Sequence, residues 1–533
     1  MRVRIFNLLC CAGLVALVWP MPATDAQFNF GSGSNNPSGG RQTPDRGDSS
    51  DYPRRRQGPS LLDLDFFSRP SPRAPKPLSK REAFEKRFQE ATPAEAVREF
   101  ESLQLTEFSE YLEMPVGNQA PTAEQISQRL GQIARETGKK PAVLYAVALK
   151  KQTHLLLVLP SSATLGQARP MAIASLHLSP AMMAQAASTP PVIREVLPEV
   201  SRDDVLDAAK DFRKAVSDPT KLDNPKYRET SEELYRWIVA PLEPQLKAQG
   251  IDTLLFSMDD GLRTIPIAAL HDGTQFLVEK YSSALIPSFG LTNTNRSLAL
   301  KQQPMLAMGI AKSTEGLAAL PAVSVEIAAI TGQFWSGPSR NTLDEDSTLS
   351  NLKAMYLQQR FGVLHLATHA VFNAGQADNS YIQFWNARLP LSQIRKVADD
   401  LQWKSALPPL QLLVLSACQT ALGNKEAELG FAGTAINAGV PSAIASLWAV
   451  DDEGTVGLMT GFYGALQSSP TKADALRQAQ LRMLRGEVSV RNGQISAPNQ
   501  PPIALPALGR TGQDASLIHP YFWSGYTVVG NWD

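Results

Sequence analysis

Two apolar runs end on residues able to do covalent chemistry. One reads Val363-Leu364-His365-Leu366-Ala367-Thr368-His369 and the other Leu412-Leu413-Val414-Leu415-Ser416-Ala417-Cys418. A cysteine attacks a carbonyl as the thiolate, and an imidazole within reach deprotonates the thiol and then protonates the leaving amine. Cys418, after a strand and before a helix-like turn, gains from nearby N–H dipoles and from a protonated His369, both of which lower a thiol pKa. The tetrahedral intermediate needs backbone donors, and the N–H groups of Ala370 and Cys418 are the candidates. Each residue also has a plainer reading. Free cysteines are commonly buried and inert, and a histidine at a strand end is commonly part of a core.

Other constellations carry less. His365 and His369 stand four apart, but Leu366 replaces the acidic residue of a helical zinc-protease motif, and four strand residues span ~13 Å. No metal site is expected, and His365 reads as structural. Ser416 lacks a Gly-x-Ser-x-Gly elbow. Gly430, Gly433 and Gly439 are spaced too irregularly for a dinucleotide loop and read as close-packing positions, with Pro441 opening the next strand. No phosphate-binding loop ending in Gly-Lys-Ser/Thr occurs, and no cofactor is expected. Asp451, Asp452 and Glu453 follow an apolar run at 443–449. They suit a helix N-terminus, or an anionic pocket in which Asp451 and Asp452 would receive a substrate Lys or Arg.

Near-continuous apolar strands are expected at 254–258, 305–309, 362–368, 412–417, 443–449 and 526–529. Amphipathic helices lie between several of them, at Met459, Phe462, Tyr463, Leu466 and at Leu476, Ala479, Met483, Leu484. Such alternation predicts an α/β protein with a largely parallel sheet covered on both faces, in which ligands and catalytic groups collect beyond the carboxyl ends of the strands. If the histidine and cysteine strands are neighbours in register, their tips meet. Upstream, 142–149 and 155–159 flank Lys150–His154 as a hairpin. Helices are expected over 79–112, interrupted or reopened at Pro93, over 122–137 with Thr122 as N-cap, over 203–216, and from an N-cap at Ser231 toward Pro241.

The chain has 533 residues, too long for one small module. Its 51 basic and 51 acidic residues cancel, so nothing pulls the whole chain toward nucleic acid or anionic lipid, and no nucleic-acid partner is expected. Hydrophobic residues make up 43 per cent, enough for a sizeable core. Three cysteines exclude a disulfide scaffold and a multi-cysteine metal cluster. Residues 1–26 read as a signal peptide. Arg2 and Arg4 precede an apolar stretch from Leu8 to Val18, and small residues around Ala23 and Ala26 suit cleavage before Gln27. Cleavage would remove Cys10 and Cys11, leave Cys418 as the lone thiol, and leave no stable membrane insertion. A retained N-terminal anchor is the alternative. Over 27–60, Gly, Ser and Pro fill 16 of 34 positions, without Val, Ile or Leu. With the prolines through Pro77, 27–78 reads as a disordered linker. A helical region at 79–138 follows, then 139–300 and 301–533 as two parts of one larger domain. The stretches 336–350 and 486–516 read as long, cleavable loops.

Several ordered segments resemble the CHAT-domain family of caspase-like proteins: HLATHAVF at 365–372, LVLSACQTALG at 413–423, AGVPSAIASLWAVDDEGT at 438–455, ADALRQAQL at 473–481 and HPYFWSGYTVVGNW at 519–532. LLFSMDDGLRTIPIAALHDG at 254–273 is similar to an early part of the same domain, so the resemblance spans about 140–533. The 49-residue interval from His369 to Cys418 is close to the one noted for caspases. The resemblance implies a caspase-hemoglobinase fold with a His369–Cys418 dyad. Ala370 stands where the family commonly has Gly. The resulting expectation is a secreted or periplasmic cysteine endopeptidase acting on a protein or peptide substrate through an acyl-enzyme, with a regulatory protein as a further partner. The rival is a catalytically silent interaction module of the same fold, and a weaker rival is a transpeptidase using the same pair.

Overall fold

The computed structural model describes residues 79–115, 119–161, 192–295, 300–420, 423–498, 500–506 and 514–533. The chain divides into two units, Met1–Pro75 and Lys76–Asp533, and the described residues all belong to the second. The signal-like segment and the Gly/Ser/Pro-rich linker lie outside them.

The N-terminal helices are specified locally. Lys80–Glu90 begins at Ser79 with a reciprocal capping box to Glu82, and Pro93–Tyr111 begins at Thr92 with the same device to Glu95. Pro93 opens the second helix rather than kinking one long helix, because its missing N–H costs nothing in a first turn. Ala123–Thr137 is capped by Thr122, as expected, and ends at Gly138 in the left-handed region. Phe84, Phe88, Phe100 and Phe108 are all buried. At about 2 kcal/mol each, they make these helices part of the fold.

The fold is mixed α/β around a mostly parallel central sheet. Among the described residues this sheet has thirteen strands. The hairpin expected around residue 150 forms from Pro141–Ala148 and Thr153–Val158, with Val192–Leu197 added outside it. On the other side of Pro141–Ala148 run Thr253–Met258, Ser282–Leu285 and Tyr526–Gly530, all parallel. Tyr526–Gly530 then pairs antiparallel with Ser442–Ser446. This reverses the sense of the next parallel block: Ser442–Ser446, Leu412–Thr420, Val363–Phe372, Met305–Gly309 and Ser339–Leu343. The sheet is thus two parallel blocks of opposite sense. Every residue of Pro141–Ala148, Thr253–Met258 and Ser442–Ser446 is buried, so helices and loops cover both faces.

Three local expectations are corrected. Ser231 does not cap its helix, which starts earlier, as Tyr227–Ile238; the Ser231 hydroxyl is buried and donates to the Ala269 carbonyl at 2.7 Å. The stretch 336–350 holds the strand Ser339–Leu343 and the start of the helix Leu349–Gln358. The stretch 486–516 holds a small four-stranded sheet of Ser489–Arg491, Gln494–Ser496, Ile503–Ala504 and Ala515–Ser516. Pairing satisfies the backbone groups that a simple loop would leave to water.

Candidate active site

The histidine and cysteine strands are parallel neighbours. Their register runs Leu412↔Val363 through Leu415↔Leu366 and then shifts, resuming as Ala417↔His369, Cys418↔Ala370, Gln419↔Val371 and Thr420↔Phe372. Two residues of the cysteine strand thus match three of the histidine strand. A one-residue slip turns a side chain to the other face. Carried on unbroken, the register would have set Cys418 opposite His369. Beyond the shift, His369, Val371, Ala417 and Gln419 lie on the more open side, while Ala370, Phe372, Cys418 and Thr420 are buried.

The sulfur is therefore turned inward. Cys418 is fully buried, and its Sγ donates to the Leu415 carbonyl at 3.3 Å. Burial pushes the thiol up to about 12, against a smaller opposite pull from Ser446. This reverses the lowered pKa expected from the sequence. The imidazole is engaged away from the thiol: its Nε2 lies 2.9 Å from the Ala318 carbonyl. A carbonyl only accepts, so Nε2 carries the hydrogen and Nδ1 is the ring nitrogen not engaged by Ala318.

The expected oxyanion donors are ladder residues here. Ala370 stands between Cys418 on one neighbouring strand and Ile382 on the other. Strand N–H groups lie in the plane of the sheet, so the Ala370 N–H faces a neighbouring strand. The side of the tip away from His369 is held by other bonds. Ser446 Oγ donates to the Cys418 carbonyl at 3.2 Å, the Thr420 N–H donates to the Leu447 carbonyl at 3.3 Å, and Tyr526 donates its hydroxyl to the Ser416 carbonyl. Ser416 is buried, and its hydroxyl has no hydrogen-bond partner among the described residues.

The acidic cluster follows Ser442–Ser446 at the same carboxyl end. Asp451 caps Asp452–Leu466 by accepting the Gly454 N–H at 3.0 Å, as the helix-cap reading holds. Asp452 accepts the Ala322 N–H at 3.1 Å. Burial pushes the Asp452 carboxyl up to about 6; that bond pulls it down, and the nearby charge of Glu326 adds to the rise. His365 is structural, fully buried with Nδ1 3.1 Å from the Tyr463 hydroxyl and Nε2 3.1 Å from Glu326 Oε1. Among the described residues, no group of three or more His, Cys, Asp or Glu could hold a metal ion. No helix there is long and apolar enough to cross a membrane.

The helix Lys425–Ala432, next after the cysteine strand, is fixed by groups not anticipated from the sequence. A Cβ on Gly433 would sit 2.9 Å from Leu112 Cδ1, and one on Gly430 3.3 Å from Phe372 Cδ1, so these glycines do serve close packing. Glu428 is fully buried. It accepts the Gly261 N–H at 2.7 Å and the Thr264 hydroxyl at 2.8 Å. Lys425 reaches Glu107 at 2.7 Å, and the buried Arg263 reaches Glu107 at 2.6 Å and Gln104 at 2.7 Å. The MDDGLRT stretch is visible in the sequence as a run of charges, but the partners that tie it to the N-terminal helices and to Lys425–Ala432 are more than 150 positions away.

With this geometry in place, the comparisons define the class. The CHAT domain matches residues 228–531, more than half of the chain, and the chain belongs to the CHAT domain family. No curated protein matches in sequence. Among solved structures it is similar to the Saccharomyces cerevisiae separase–securin complex, at 10% identity and TM-score 0.38, over 82% of this chain and 33% of that one. It therefore spans about a third of the length of the separase chain it matches. It is also similar to the Arg-specific cysteine proteinase gingipain R, at 10% identity and TM-score 0.32, over 62% of this chain and 74% of that one. The complex of Porphyromonas gingivalis RgpB pro- and mature domains matches at 11% identity and TM-score 0.32, over 62% and 76%.

Proposed function

We propose that the protein is a cysteine endopeptidase in which Cys418 is the nucleophile and His369 the base. The single observation that carries the reading is the parallel pairing that brings both tips to one carboxyl end, one residue out of step. The described arrangement is then a resting one. Loss of the one-residue shift sets Cys418 opposite His369 and turns the sulfur toward the imidazole. His369 Nδ1, free of the Ala318 bond, takes the thiol proton. The thiolate attacks the peptide carbonyl, and the Ala370 and Cys418 N–H groups, released from the ladder in the same change of register, receive the oxyanion. The proton then passes to the leaving amine, a thioester remains, and water hydrolyses it with His369 as base.

The substrate is a protein, and the family membership supports that class. Cleavage after Lys or Arg is the finer part of the proposal and rests on Asp451 and Asp452 at the same strand end. A secreted or periplasmic site of action rests on the signal-like segment at 1–26, and a regulatory protein partner on the need to leave the resting register. The test is turnover of a peptide library by the wild type beside Cys418→Ala. Turnover lost in the variant, with unchanged far-ultraviolet circular dichroism, is expected. Equal turnover in both overturns the mechanism, and none in either, with or without added protease inhibitors, favours the silent module.

A further inference from the structure

The turn at 259–264 follows the strand Thr253–Met258 and takes no part in the chemistry proposed above. It nevertheless joins the two parts of the molecule that bear on Cys418. On one side it holds the N-terminal helices: Arg81 of Lys80–Glu90 pairs with the buried Asp259 at 2.6 Å, and Glu107 of Pro93–Tyr111 pairs with Arg263. On the other it holds Lys425–Ala432 through Glu428, whose carboxylate receives the Gly261 N–H and the Thr264 hydroxyl. Lys425 closes the ring by returning to Glu107. Asn424 caps that helix, and Gly423 before it has a positive φ of 79°. Only residues 421 and 422 separate Gly423 from the end of the cysteine strand at Thr420.

We infer that Glu428 and Lys425 are positioning residues that hold the cysteine strand in its shifted register, and that the helices Lys80–Glu90 and Pro93–Tyr111 act on Cys418 through them. The inference rests on the reading of Cys418 as the nucleophile. The mechanical reason is the short tether. A helix pinned at its first turn by buried, charge-assisted hydrogen bonds fixes where the strand before it must end. A slip of one residue along a strand moves the tip by ~3.3 Å, and the strand end at Thr420 is only five positions from the pinned helix start at Lys425. Within the node, Nε and Nη1 of Arg263 are buried with no hydrogen-bond partner among the described residues. The N-terminal helices lie outside the 228–531 match, so this input belongs to this chain beyond the family domain.

The test is the rate at which iodoacetamide alkylates Cys418 in the folded, full chain, because a fully buried thiol reacts only when its tip opens. Glu428→Gln exchanges one of the two oxygens that receive the Gly261 N–H and the Thr264 hydroxyl for an NH2 donor and removes the charge, and Lys425→Met, at a partly exposed position, removes the Glu107 pair without threatening the fold. Both are expected to speed labelling, Glu428→Gln by about tenfold, and Lys425→Arg is expected to restore the wild-type rate. Leu246→Ala, a buried truncation outside the node, is the control for general destabilisation. Node variants labelling no faster than this control, or Lys425→Arg behaving as Lys425→Met, overturn the inference. Peptide turnover in the same samples separates the two readings. Faster labelling without turnover in any sample keeps the positioning role and removes the peptidase; Cys418-dependent turnover with unmoved labelling does the reverse.

Discussion

The tip that carries Cys418 and the turn at 259–264 are both strand ends rich in reactive side chains, and they treat them differently. At the turn the charges converge: Asp259 is fully buried, yet receives Arg81 at 2.6 Å, Arg202 at 3.3 Å and the Ala148 N–H at 3.1 Å. At the tip the reactive pair diverges, with the sulfur against its own strand and the imidazole on a loop carbonyl. Buried charges persist only when paired and hydrogen-bonded, so the turn is locked into a single geometry. The tip makes few bonds that depend on the identity of its side chains, and its state depends on register. The contrast teaches that the ionic groups of this turn serve to hold position, whereas the placement of Cys418, the proposed nucleophile, is set by strand register.

The largest effect expected from that contrast is on stability. Asp259→Ala strips the donors of four residues, Arg81, Ala148, Arg202 and Asp260, of their acceptor and should cost about 3 kcal/mol, the lower part of the range for breaking a buried pair, because Arg81 and Arg202 keep some access to water. Cys418→Ala removes one sulfur from the core and should cost only about 1 kcal/mol. Urea denaturation of the two variants measures both. Equal losses would mean that the tip is held as firmly as the turn.

A smaller effect concerns pH. The Asp452 carboxyl is raised from 3.8 to about 6, chiefly by burial. The folded state therefore holds this proton more tightly than the unfolded state, and the unfolded state binds fewer protons between these values. Stability falls as pH rises from about 4 through about 6, and the loss is complete above that window. Asp452→Asn should flatten this part of the stability profile and raise stability at pH 7.5 by about 1 kcal/mol. An unchanged slope between pH 4 and pH 6 would show that the carboxyl is solvated. The same variant also bears on the proposed preference for Lys or Arg, which it should weaken.

Most of the frame around these residues was legible. The hairpin near residue 150 and the strands at 305–309 and 412–417 follow from apolar runs, and the caps at Thr122 and Asp451 from their side chains. That the histidine and cysteine strands are neighbours entered only as a condition, which the parallel pairing meets. The register shift between Leu415 and Ala417 was not legible, because the residues at the bulge, Ser416 against Ala367 and Thr368, are small and suit either face. The sense of Tyr526–Gly530, antiparallel to Ser442–Ser446, was hidden as well. The node at 259–264 was readable as a motif and not as a contact, since Glu428 and Gly261 are 167 positions apart.

The smallest effect tests whether the acidic cluster at the tip is architecture. In its cap role the Asp451 carboxylate accepts the Gly454 N–H at 3.0 Å at the start of Asp452–Leu466. Replacing a capping Asp by Ala commonly costs about 1 kcal/mol, and replacement by Asn, which also accepts, costs a few tenths. Asp451→Ala should therefore lower the urea midpoint measurably while Asp451→Asn leaves it nearly unmoved. If instead both variants keep wild-type stability and both lose cleavage after Lys or Arg, the carboxylate serves the substrate, and this strand end joins the cysteine tip rather than the turn in how it uses its polar groups.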